Sequence, residues 1–361
     1  MIKKINPQQP YNELPMLPPI FNFDDIEILK KVNKANIALS RLSGEAKSIP
    51  NREVLIEPLT FREAVASSEI ENIQTTLNEA MQASYLDEAD LKIEQKETKY
   101  YREALLKGYQ LIREQGFLNT NSFITIQSIL EPTKPGIRKI PGTRIENRKT
   151  KEILFTPPEG EERIRSLLKN FEDYFNSEDT DVDPLIKMSV LHYQFEAIHP
   201  FLDGNGRTGR ILMVLYLCLT KRLDLPILFI SGYINNHKSD YYRLLREVTY
   251  NGSWKEWVLY ILTAVESQSK ATTKSVIGIR DLMANYRSII QKGSKIYRAE
   301  LIEYLFNYPF YTQKTLQKYL GISRNTSSKY FSELERLEVV KSEKYKNDKI
   351  YFCPEFHQLL K

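Results

Sequence analysis

Cysteine is nearly absent. Two occur in 361 residues, Cys218 inside an apolar stretch and Cys353 near the C-terminus, which leaves neither a disulfide framework nor a thiolate metal site. Long hydrophobic runs are missing too. The longest apolar stretch, after Arg210, stops at Lys221, short of a membrane span. The opening residues, MIKKINPQQPYNELP, hold charge but no apolar signal core. There is no internal repeat and no low-complexity tract. A reducing, cytoplasmic setting is the simplest expectation. What is present is 42% hydrophobic residues, enough to bury two or three cores, and a net charge of +5.

Chemistry concentrates at His199 to Arg210, HPFLDGNGRTGR. Gly204 and Gly206 allow backbone angles that let N–H groups around Asn205 converge on an anion. The apolar run Ile211 to Leu219 predicts a helix whose N-terminus adds positive charge beneath that nest. Arg207 and Arg210 are three apart, so both are expected to reach one oligophosphate. Asp203 is placed to hold Mg²⁺ against phosphates, and His199 has a side chain whose unperturbed pKa lies near neutrality, so it could take the proton of an attacking hydroxyl.

This stretch resembles the signature of Fic-domain proteins, H-P-F-x-[DE]-G-N-G-R-x-x-R, at every fixed position. The resemblance implies transfer of a nucleotide monophosphate, usually AMP from ATP, to a protein hydroxyl. It makes His199 the general base and Asp203 the Mg²⁺ ligand. Gly204, Asn205 and Gly206 become the nest, Arg207 a β-phosphate contact, Arg210 the γ-phosphate holder and Phe201 a core anchor. The residues alone leave the nucleotide and the acceptor open.

Residues 60 to 81, TFREAVASSEIENIQTTLNEAM, predict a helix opened by a capping box of Thr60 and Glu63, with Ser67 and Glu71 on one face. The segment SSEIEN resembles the inhibitory motif of many Fic proteins, [ST]-x-x-x-E-[GN], matched by Ser67, Glu71 and Asn72. The resemblance implies that Glu71 pairs with Arg210 in the space that the ATP γ-phosphate needs.

Five prolines between Pro7 and Pro19 predict an extended N-terminal run. From Thr143 to Thr156, Ile145 and then Ile153 with Phe155 flank a polar turn at Asn147 to Lys151, a β-hairpin pattern. In the Fic family the corresponding hairpin is a flap that takes the target as an added strand, which assigns Ile153, Leu154 and Phe155 to target binding. Tyr233, Tyr241, Tyr242 and Trp257 are candidates for an adenine pocket and equally for helix packing.

Beyond residue 269 a polar connection, or a continuing helix, leads to helices expected at Tyr297 to Phe306, Gln313 to Leu320 and Arg324 to Leu337. Two short strands follow around Asn347 and Asp348. This order resembles a winged helix-turn-helix. Residues 291 to 361 hold thirteen Lys or Arg against eight Asp or Glu, a surplus of 5 that equals the net charge of the whole chain. Arg324, Asn325, Ser327, Ser328 and Lys329 would face a groove or phosphates, and a protein partner is the alternative.

The expected fold is therefore mainly α: a Fic helical core with a β-hairpin flap, an N-terminal helical region and a C-terminal winged helix-turn-helix domain. The divisions fall at residues 1–86, 87–268, 269–290 and 291–361. The expected function is a protein adenylyltransferase restrained by Glu71, with ATP as substrate and Mg²⁺ as cofactor. Self-modification, a homodimer and DNA contact are compatible with it. A DNA-binding regulator with a nucleotide-sensing core, AMP removal and another nucleotide donor are the competing readings.

Overall fold

The computed structural model describes residues 5–86, 88–147, 150–178, 182–345 and 348–360. The prolines keep residues 5–25 out of helix, and this stretch runs over later elements. Tyr11 N–H donates to Thr156 O at 3.0 Å, and Arg163 Nη2 to Leu14 O at 2.9 Å.

Helix α1 (Ile26–Lys47) starts where the Asp25 carboxylate accepts two backbone N–H groups. Its buried Ile28, Val32, Ala35, Leu39 and Leu42 alternate by four and three residues, forming one apolar stripe. Helix α2 (Ile56–Ile70) follows. It begins four residues before Thr60, so the expected capping box is not there. Thr60 instead bonds Glu57 O at 3.0 Å, and Glu63 is claimed by Ser231 and Tyr101. The capping box that forms belongs to Thr76 and Glu79, at the start of α3 (Leu77–Gln82), so the expected single helix is two. Helices α4 (Ile93–Gln115) and α5 (Thr120–Leu130) come next.

The hairpin forms from β1 (Ile145–Glu146) and β2 (Ile153–Phe155), antiparallel with Ile145 opposite Phe155. Arg148 and Lys149 of its expected turn lie outside the described residues. After α6 (Glu161–Asn176) come α7 (Pro184–Ile198) and α8 (Asn205–Leu219), packed against each other. They are buried on almost every face, and the loop between them is the signature. Two shorter helices, α9 (Ser231–Asn236) and α10 (Lys238–Asn251), lead into α11 (Trp254–Gly293).

At 40 residues α11 spans about 60 Å and includes the polar segment expected as a connection. It lies along α1. Asp25 to Lys255, Lys31 to Glu266 and Glu45 to Arg280 are ion pairs in the same chain order, so the two helices run parallel. The chain closes with α12 (Ala299–Asn307), α13 (Gln313–Leu320) and α14 (Arg324–Arg336). A hairpin of β3 (Lys341–Tyr345) and β4 (Asp348–Phe352) and then α15 (Pro354–Leu360) complete it. Asn347 of the expected strand turn lies outside the described residues. Among the described residues no helix is long and apolar enough to cross a membrane.

Candidate active site

The signature loop is closed by its own side chains. Asn205 Oδ1 accepts from Phe201 N–H and Nδ2 donates to Phe201 O, both at 2.9 Å. This amide clamp turns the chain back into α8, and buried Phe201 anchors it in the core. Gly204 stands at φ 78°, a left-handed angle, and a Cβ there would meet Glu131 at 3.1 Å. His199 is left-handed as well, at φ 48°, and caps α7. A residue outside the motif holds it: Arg138, 2% exposed, donates through Nε to His199 O at 2.8 Å. Burial, reinforced by the Arg138 charge, pushes the His199 imidazole down to about 4, so the ring is neutral at pH 7.

The two arginines diverge, contrary to the expectation that both reach one phosphate chain. Arg207 is buried and turns to Glu97 on α4 and Glu131 after α5. Those carboxylates claim it because a buried guanidinium without partners is costly. Arg210 turns to α2, donating to Ser67 Oγ at 2.9 Å, Ser67 O at 3.0 Å and Glu71 Oε1 at 2.9 Å. Burial lowers the Arg210 pKa, and the Glu71 charge more than restores it, so the net shift is upward. Asn72, after Glu71, adopts φ 64° and turns the chain out of α2. A Cβ on Gly206 would stand 2.5 Å from Glu71 Oε1, so that carboxylate rests on the first turn of α8.

These groups face a cavity of about 720 Å³, within the range of small-molecule sites. Glu71, His199, Gly206 and Arg210 lie in its wall, Leu154 and Phe155 of β2 bound one side, and Tyr241 and Tyr242 another. Ile153 is not in the wall. Asp203 lies at the loop's outer edge, where Lys134 Nζ reaches its carboxylate at 2.8 Å.

Family models match the chain over most of its length. The Fic/DOC family N-terminal model covers residues 29–110 and the Fic/DOC family model residues 111–217. The chain belongs to the Fic/DOC family. A third model, the C-terminal domain of SoFic-like protein adenylyltransferases, covers residues 282–356. The protein adenylyltransferase Fic of Culex quinquefasciatus is 31% identical over 153 residues, 41% of this chain and 29% of that protein. The chain thus spans less than a third of the length of such curated relatives. A crystal structure of a Fic family protein from Desulfovibrio desulfuricans G20 shares the fold, with a TM-score of 0.59 and 19% identity, over 93% of this chain and 98% of that one. Fic-1 from C. elegans, solved as a fragment, has a TM-score of 0.54 and 21% identity over 70% of this chain and 73% of that one.

Within this Fic core the aromatic candidates separate. Trp257 is fully buried, donates to Ser189 O at 2.8 Å and stacks on His192, so it is a packing residue. Tyr233 stacks on His237 outside the cavity wall. Tyr241 is in the wall but its hydroxyl meets His192 Nε2 at 2.8 Å, while Tyr242 is 40% exposed. Sequence reasoning missed Arg138 and Glu196. The second lies one helical turn before His199, and its buried carboxyl is pushed up to about 7. No local pattern marks either residue.

Proposed function

We propose that this protein transfers AMP from ATP to a hydroxyl of a protein side chain, and that Glu71 holds it in a restrained state. The observation that carries the reading is the three-bond grip of Ser67 and Glu71 on Arg210 in the second turn of α8, inside the cavity that contains His199. Neutral His199 takes the proton of the acceptor hydroxyl. That oxygen forms its bond to the α-phosphorus as the bond to the β-phosphate oxygen breaks, and pyrophosphate leaves. Backbone N–H groups of Asn205 and Gly206, at the N-terminus of α8, stabilise the charge that develops on the phosphate oxygens, the Gly204 N–H being taken by Asp203 Oδ1 at 2.8 Å. Arg210 receives the terminal phosphate once Glu71 has moved. Arg207, tied to Glu97 and Glu131, orders the loop in this state and reaches the β-phosphate only by exchanging a partner.

Magnesium fits the residues present. Burial raises the Asp203 pKa, but Lys134 and the Gly204 N–H outweigh it and keep the carboxyl below its usual range. One ionised carboxylate beside the loop is what Mg²⁺ bound mainly through substrate oxygens requires. Held there by Asp203, the ion would neutralise charge on the departing pyrophosphate.

The β1–β2 hairpin supports target binding, with an extended segment laid beside β2 at Ile153, Leu154 and Phe155. Tyr242 supports a contact with the adenine face. Both cysteines are buried, which suits a reducing cytoplasm.

For the C-terminal elements we propose a winged helix-turn-helix that contacts duplex DNA. From Tyr304 to Ser332 there is no Asp or Glu, whereas Lys314, Lys318, Arg324 and Lys329 are all exposed on α13 and α14. Ser327, expected to face the groove, is instead buried and bonds Gln313 O at 3.2 Å.

The test is incubation of the full chain carrying Glu71→Gly with magnesium and ATP labelled at the α- or the γ-phosphate. Label from the α-position alone should enter protein. Transfer of γ-label, or of neither, contradicts the reading.

A further inference from the structure

Two glycines three residues apart on α8 each receive a carboxylate. A Cβ at Gly206 would stand 2.5 Å from Glu71 Oε1, and one at Gly209 would stand 2.6 Å from Glu196 Oε1. Positions three apart on a helix carry their Cβ atoms about 5–6 Å apart, so the two carboxyl groups occupy neighbouring seats on the same helix face. Arg210 serves only the first. It bonds Glu71, whereas Glu196 Oε1 is buried and makes no hydrogen bond among the described residues.

The charged and titratable groups around Glu196 come from four elements. Arg210 faces it from α8, Glu71 from the end of α2, Tyr241 from α10, and His192 and His199 stand on its own helix. Arg210 is the cation among them, and it is committed elsewhere. The Tyr241 hydroxyl is engaged by His192. Burial, with Glu71 adding to it against the pull of Arg210, pushes the Glu196 carboxyl up to about 7.

We propose that Glu196 contacts the terminal phosphate of bound ATP as a neutral carboxylic acid, donating its O–H, so that binding takes up a proton from solvent. This rests on the adenylyltransferase reading and extends it to a residue that the signature does not contain. When the terminal phosphate replaces Glu71 on the Gly206 seat, it brings at least as much negative charge to the same distance from Glu196. An ionised carboxylate would repel it in a site screened little by water. The neutral acid instead offers one donor to a phosphate oxygen. A group whose pKa is raised further in the complex makes affinity constant below its free-state pKa and weaker above it. The limit is tenfold per pH unit for a single proton.

The experiment uses the full chain with Glu71→Gly as parent and adds Glu196→Gln, an uncharged donor of the same shape. Calorimetry with Mg-ATP is run at about pH 6 and about pH 8, each in two buffers of different ionisation heat. With Glu71 gone, one of the groups that raises the Glu196 carboxyl is absent, so the parent should bind at least tenfold more weakly at the higher pH and take up most of one proton there. Glu196→Gln should bind with less pH dependence and without that uptake, the nucleotide's own titration being common to both proteins. Equal slopes and equal uptake in parent and variant overturn the proposal. Should the variant not fold, the parent decides alone: uptake at the higher pH with ATP but not with AMP supports the assignment, and equal uptake contradicts it. Failure of the parent to bind ATP at either pH removes the adenylyltransferase reading itself, a result distinct from pH-independent binding.

Discussion

Arg210 and Arg324 both sit near the start of a helix, and the structure uses them in opposite ways. Arg210 is 1% exposed and bonded twice to Ser67 of α2 and once to Glu71 at its end, while Arg324 stands exposed at the first residue of α14. A buried guanidinium needs a full set of partners, so Arg210 can change role only by exchanging one anion for another. An exposed cation keeps its hydration, gains little from any single neighbour and is screened by salt, so Arg324 remains available to a long polyanion. The proposed switch draws on the first environment and the proposed DNA face on the second.

Breaking the chemistry on the buried side has the largest expected effect. His199→Ala should lower AMP transfer by about 10²–10⁴-fold, the usual worth of a positioned base, while ATP affinity stays near that of the parent. Quench-flow transfer assays and equilibrium binding separate the two. The same residue sets the acid limb. Because the imidazole is held at about 4, transfer should stay constant from neutral pH downward and fall only as the pH nears that value.

Next in size is the switch itself. Glu71→Gly removes one charge-assisted bond to Arg210, about 1.5–3 kcal/mol, which corresponds to roughly a tenfold to hundredfold gain in transfer. Intact-mass analysis over time measures it, and an unchanged rate would make Glu71 an ordinary helix cap. Smallest is the exposed side. Replacing Arg324 and Lys329 together by alanine should weaken duplex binding severalfold and reduce the log-log salt slope by about 2. Fluorescence anisotropy across a salt series reads this. Absence of binding by the parent at low salt would reassign the face to a protein partner.

How much of this was legible in the sequence differs by residue. The His199 to Arg210 loop was readable because its parts are adjacent in the chain and each needs one residue type. The pairing of Arg210 with Ser67 and Glu71 was readable from the short motif, although α2 ends at Ile70 rather than running on, and the motif's Asn72 accepts from Lys238 instead. The divergence of Arg207 was not readable. Its partners Glu97 and Glu131 come from distant segments with no local pattern, as does Arg138 behind His199. The Thr60 and Glu63 spacing fits a capping box in sequence, but burial against Ser231 and Tyr101 takes Glu63 away. Tyr233 and Trp257 illustrate a similar limit, since aromatic type alone does not tell a cavity wall from the packing beneath it.

The central claim is that Glu71 and the terminal phosphate compete for one guanidinium. Calorimetric titration of the unaltered chain and of Glu71→Gly with ATP and with AMP, each with magnesium, tests it most directly. The account predicts that the substitution tightens ATP by at least tenfold and leaves AMP, which lacks the contested phosphate, unchanged. An equal gain for both nucleotides, or for neither, would contradict it.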